Sequence, residues 1–205
     1  MDEHYGFFLK NFSPVIERHE VPLSSIQRYR NKLPEQLIEY WKDYGWCGYA
    51  DGLFWTVNPQ DYEHILNQWL TDAGLIRQDN YYVIARSAFG VVYVWGERSG
   101  YCLTVTAYMS RFSTRTSIFS EGKLDFGVKA FFASMSAEHN DLEHLFKPAV
   151  DTLGKLKGDE MYGFVPALAL GGSIDLQNLQ KVKAIEHLEF LSQVSPLQNW
   201  GFPEF

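Results

Sequence analysis

The sequence predicts an α+β protein: a central antiparallel meander flanked by N- and C-terminal helices, folded as two closely packed lobes. Three observations lead there. Apolar residues recur at helical spacing over residues 34–74 and again after residue 122. Between them, from Tyr81 to Phe119, strand-like runs are joined by connections too short for parallel crossovers. No tract between the two ends is polar and flexible enough to be a long tether, so the lobes share an interface. The expected division is residues 1–122, helices plus antiparallel sheet, and residues 123–205, mainly helical.

Pro34 opens the first helix, Leu37, Ile38, Trp41 and Tyr44 form its inner face, and Gly45 stops it. Next, WCGYADGLFWTV reads as two short strands around an Asp51-Gly52 turn. Asn58 then caps a helix with Pro59 in its first turn and Tyr62, Ile65, Leu66 and Trp69 at i, i+3, i+4 and i+7, ending at Gly74. The runs YYVIARSA, VVYVWG, YCLTVTAY and TSIF follow as the meander. After Gly122, Leu124, Val128, Phe131, Phe132 and Met135 mark one helical face, and Leu142, Leu145, Phe146, Ala149 and Leu153 another. Pro148 interrupts the second pattern, predicting a kink or a new helix there. Residues 164–170 read as a buried strand or loop around Pro166, with Gly171 and Gly172 free to take positive φ. The last helix is expected from about Leu179 to Val194, ended by Pro196.

With 205 residues, 46% of them apolar, the chain can bury a sizeable core. Its net charge of −7 argues against a generic nucleic-acid binder and would attract a basic partner, although a solvated, solubility-promoting surface is the commoner reason for such a balance. The acidic excess lies at the ends: residues 1–70 carry 10 acidic and 6 basic side chains, residues 141–205 carry 9 and 5. The N-terminus lacks the basic and apolar regions of a secretory signal, and no apolar run approaches the roughly 20 residues of a membrane helix. A cytoplasmic protein is expected, with Cys47 and Cys102 as reduced thiols.

No complete catalytic apparatus is present. Asp159 and Glu160 are adjacent, so on an extended segment they point to opposite faces, one toward the core or a backbone amide and one toward solvent. A hydrogen bond to Glu160 from Tyr162 or a backbone amide is expected. His139 and His144 are spaced wrongly for a helical metal site. There is no G-x-S-x-G elbow, and Gly171-Gly172-Ser173 lacks a P-loop lysine. Neither catalytic nor metal-binding residues are assigned, and no cofactor is expected. The reading as an enzyme that stays open is a small-metabolite hydrolase using Asp159, Glu160 and a distant histidine. An interaction module unrelated to toxins also stays open.

The segments LPEQLIEYWKDYG, GLFWTVNPQDY and ARSAFGVVYVWGE resemble the GAD-like part of a bacterial immunity protein family. DEMYGFVPALALGGS, followed by NLQKVKAIEHLEFL, resembles its Tdi-type C-terminal domain. The resemblance implies a non-enzymatic partner of a type VI secretion toxin, often a DNase, which it neutralises by blocking or distorting the active site. Contact residues do not transfer with it. On physical grounds the expected partner-binding residues are Trp46, Tyr49, Asp51 and Trp55 around the hairpin, where aromatic anchors and a carboxylate meet, and Asp159 with Glu160. An ordinary hydrophobic hairpin would use the same rings.

Overall fold

A computed structural model describes residues 2–119 and 121–201. Asp2 accepts the amides of His4 and Tyr5 and so caps α1 (Glu3–Asn11), which is followed by β1 (Val15–His19) and α2 (Leu23–Tyr29). α3 (Glu35–Tyr44) stops at Gly45, where φ is 74° and a Cβ would strike the carbonyl oxygen of His19. β2 (Trp46–Tyr49) and β3 (Phe54–Thr56) form the expected hairpin about Ala50–Gly52. Asn58 caps a 3₁₀ turn, Pro59–Tyr62, that runs into α4 (Glu63–Asp72). The meander comprises β4 (Tyr81–Ser87), β5 (Val91–Gly96), β6 (Gly100–Thr106) and β7 (Arg111–Thr114), each antiparallel to the next. The remainder supplies α5 (Leu124–Ser134), α6 (Ala137–Asn140), α7 (Phe146–Leu153), β8 (Glu160–Phe164), β9 (Leu179–Lys183), α8 (Ala184–Val194) and β10 (Gln198–Asn199).

Eight strands make one sheet in the order β1-β2-β3-β4-β5-β6-β7-β10, antiparallel except for the last pair. Both faces of this sheet are buried. Side-chain alternation sends Val92 and Val94 of β5 into one core and Tyr93 and Trp95 into the other. On the second face α1, α3 and α5 pack together, with Tyr5, Phe8, Trp41 and Phe132 in a dense aromatic cluster. α4, α8 and the two-stranded ribbon β8-β9 cover the first. Helices from both ends of the sequence thus serve both faces. Gly90 joins the ribbon to the sheet: φ is 83°, and any side chain there would meet Met161 and Leu188. The Tyr162 amide donates to Ala88 beside it, at 2.9 Å.

Three expectations need correction. TSIF is not a strand: β7 lies earlier, at Arg111–Thr114, because that segment finds its partner in β6, and Ile118 is 81% exposed. The final helix starts at Ala184, because Leu179–Lys183 pairs with β8 as a strand and that pairing overrides helix propensity. Residues 164–170 are not a continuous buried run. Phe164 and Ala167 are buried, but the chain leaves the ribbon at Pro166, and Val165 and Leu170 face solvent. Gly171 does take positive φ, at 89°, whereas Gly172 does not. The interruption expected at Pro148 is a new helix: after a turn at Leu142–His144, α7 starts at Phe146 with Pro148 in its first turn, where a proline costs no helical hydrogen bond.

The β5-β6 turn hangs on Asp79. Its side chain is only 4% exposed and accepts the Ser99 hydroxyl at 2.7 Å and the amides of Asn80, Arg98 and Ser99 at 2.8–3.0 Å. Burial alone would raise its pKa, yet these donors together hold the carboxyl below the usual aspartate value. A depressed folded-state pKa stabilises the fold above the unfolded value and loses that stabilisation as pH falls. Asp79→Asn is therefore expected to cost about 1–2 kcal/mol near neutral pH. In urea unfolding followed across pH, the gap from wild type should close below about pH 4; a gap that persists unchanged in acid would contradict the charge-based account.

Candidate functional site

The main cleft, about 710 Å³, opens where the β1-β2-β3 end of the sheet meets residues 154–160. Its floor is largely apolar, with Trp46, Trp55, Val57 and Ile185; Glu17, Asp61 and Asp159 bring carboxylates to its walls, alongside Lys157 and His19. Positioning begins with an irregularity in β1. The register shifts between Ile16 and His19, and Glu17 takes φ of 45°, an uncommon conformation for a residue with a side chain. The Glu17 carboxylate accepts the Gly158 amide at 2.6 Å, linking the first strand to a segment 141 residues further on.

Behind the floor lies Arg86 of β4, fully buried. Nη2 donates to the carbonyls of Gly158 and Glu160, both at 2.8 Å, and Nη1 to Ser87 at 3.3 Å; the guanidinium carbon lies 5.4 Å from the Trp55 ring centroid. Nε has no acceptor among the described residues. Burial pushes the neighbouring Tyr62 hydroxyl up, and the Arg86 charge opposes that rise. Two further contacts fix the same segment: Lys155 donates to Asp51 at 2.7 Å, and the Tyr162 hydroxyl to Gly154 at 2.8 Å.

Of the partner-binding residues expected from sequence, Trp46, Trp55 and Asp159 meet in this cleft, so the hairpin and the acidic pair converge on one site. Tyr49 and Trp55 do not stand out as surface anchors. Tyr49 is wholly buried and shares a hydroxyl hydrogen bond with Tyr5; Trp55 is 2% exposed and donates its indole N–H to Gly52. Alternation along short strands turns these rings into the two cores. Asp51 is tied to Lys155. Asp159 and Glu160 diverge as adjacency requires: exposed Asp159 pairs with Lys183, while Glu160 accepts the Lys157 amide at 3.0 Å and lies 3.7 Å from Lys181. The hydrogen bond from Lys183 holds the Asp159 carboxyl below its usual range. The two acids therefore do not form an acid–base pair. Sequence reading missed Glu17, Asp61 and Arg86. A lone arginine inside the apolar run VIARSAF was the available signal for the last.

A sheet buried on both faces, with an aromatic-floored and partly acidic cleft at one end, defines an α+β scaffold suited to binding. The chain belongs to the GAD-like domain family, which matches residues 3–109. Residues 125–195 match the C-terminal domain of the T6SS immunity protein Tdi1. The structure is similar to the crystal structure of Atu4351 from Agrobacterium tumefaciens, with a TM-score of 0.85, 22% identity, and coverage of 98% of this chain and 93% of that one. That likeness concerns the fold. Comparison with curated proteins found no match. No helix among the described residues is long and apolar enough to cross a membrane.

Removing the Arg86 guanidinium strands the Gly158 and Glu160 carbonyls. Arg86→Met is expected to lower stability by about 3 kcal/mol in urea unfolding, and Arg86→Lys to recover only part, because one ammonium does not reproduce the planar fork. A loss below about 1 kcal/mol for Arg86→Met would show that these contacts do not hold the segment.

Proposed function

We propose that the protein binds and neutralises a toxin delivered by a type VI secretion system, acting in the cytoplasm of the cell that makes the toxin. The match of residues 125–195 to the Tdi1 immunity domain carries this reading. The toxin is a nuclease, most simply a DNase, and inhibition works by blocking or distorting its active site. A nuclease presents a basic surface to its substrate, and a chain of net charge −7 with carboxylates lining its main cleft complements such a surface. Trp46 and Asp159, together in the cleft, are the contacts favoured from the hairpin and the acidic pair; Asp51 and Glu160 sit on the segments that frame it. Tyr49 and Trp55 act from beneath, by shaping the floor.

Binding rather than turnover is the mechanism, so protection should be stoichiometric. Co-expression with its cognate type VI secretion toxin should restore growth, and the purified proteins should form a stable complex of fixed composition on size-exclusion chromatography. Toxicity that persists at full expression of the chain, together with no complex, would remove the proposal.

A further inference from the structure

The cleft combines two features that one kind of side chain would satisfy together. Its floor offers the apolar faces of Trp46, Val57 and Ile185. Glu17 and Asp61 line the same cleft, and each uses one carboxylate oxygen inside the protein: Glu17 Oε2 accepts the Gly158 amide at 2.6 Å, and Asp61 Oδ1 accepts the Asn58 side-chain amide at 3.1 Å. Their second oxygens have no donor among the described residues. The third carboxylate differs, because Asp159 is engaged by Lys183 and feels the charge of Lys157. Of the cations near the cleft, Lys183 is paired with Asp159 and Arg86 with backbone carbonyls, while Lys157 lines the cleft on the Asp159 side. Trp46 adds a buried indole N–H with no acceptor among the described residues.

We infer that the cleft seats an arginine side chain of the bound toxin, its stem along the Trp46 floor and its guanidinium against Glu17 and Asp61. This rests on the reading of the chain as a toxin-binding immunity protein. Long basic side chains lay their methylenes on apolar surface while the charged head reaches polar groups at the edge, which matches a cleft lined by both rings and carboxylates. Arginine suits the site better than lysine, since a planar guanidinium both stacks on indole and donates to carboxylates in a fork. The fold already places a guanidinium over Trp55, in the form of Arg86. Nucleic acid is disfavoured as the occupant, because Glu17 and Asp61 would repel phosphate.

Two measurements test the inference. In the first, N-acetyl-arginine amide is titrated into the ¹⁵N-labelled full chain and the Trp46 indole resonance is followed, with N-acetyl-norleucine amide and N-acetyl-glutamate amide as controls. Arginine should give a saturable shift that the controls do not, weakened about tenfold by Glu17→Gln or Asp61→Asn. No shift, or an equal shift with norleucine, overturns the inference. In the second, affinity for the cognate toxin is measured with the Glu17→Gln, Asp61→Asn double variant. Glutamine and asparagine keep an acceptor for Gly158 and Asn58, so the thermal midpoint should hold while affinity falls at least about thirtyfold. Wild-type binding with an unaffected double variant overturns the inference and leaves the immunity reading standing. A wild-type protein that neither binds nor protects against the toxin overturns that reading, and with it the toxin as the source of the arginine.

Discussion

Holding the segment 154–160 against the sheet depends on the buried guanidinium of Arg86, which takes two carbonyls of that segment and packs over Trp55 of the adjoining strand. A buried cation is costly unless its hydrogen bonds are made, and this one makes most of them to backbone oxygens. The consequence is geometric. Residues 154–160 lie against the β1-β2-β3 end of the sheet, and the space left between them is the cleft. Glu17 to Gly158 and Asp51 to Lys155 reinforce the same seam from the N-terminal side. None of these contacts is local in sequence, so the cleft exists only when both ends of the chain have folded together.

The same interdependence appears in the layers. α5 follows the meander in sequence yet packs with α1 and α3, while α4 precedes it and packs with α8. β10 returns from the C-terminus to pair in parallel with β7. The two matched family segments, residues 3–109 and 125–195, therefore contribute to shared cores on both sides of one sheet. Toxin binding at the seam would engage both segments at once.

Strong periodicity and explicit stop signals made much of the fold legible in the sequence. α3 follows from Leu37, Ile38, Trp41 and Gly45, α4 from Asn58-Pro59 and its apolar stripe, and the hairpin from Asp51-Gly52. Legibility failed where a distant partner decided the outcome. LQKVK becomes a strand because EMYGF needs one, and TSIF falls outside the sheet because RFST has already paired with β6. The site divided along the same line. Trp46 and Asp159 were recognisable by residue type, and the structure brings them to one cleft. Tyr49 and Trp55 looked the same in sequence, but strand alternation, which strands of four and three residues barely display, buries them. Glu17 carried no signal, since its position depends on a bulge and a positive φ that its neighbours do not announce.

The central claim is that the seam between the N-terminal strands and residues 154–160 faces the partner. Amide hydrogen exchange, compared between the free chain and its complex with the cognate toxin, tests this most directly. Slowed exchange concentrated in residues 15–19, 46–49 and 154–160 is the expected result. Protection confined to the outer surfaces of α1 and α5, with those three segments exchanging as in the free chain, would contradict it.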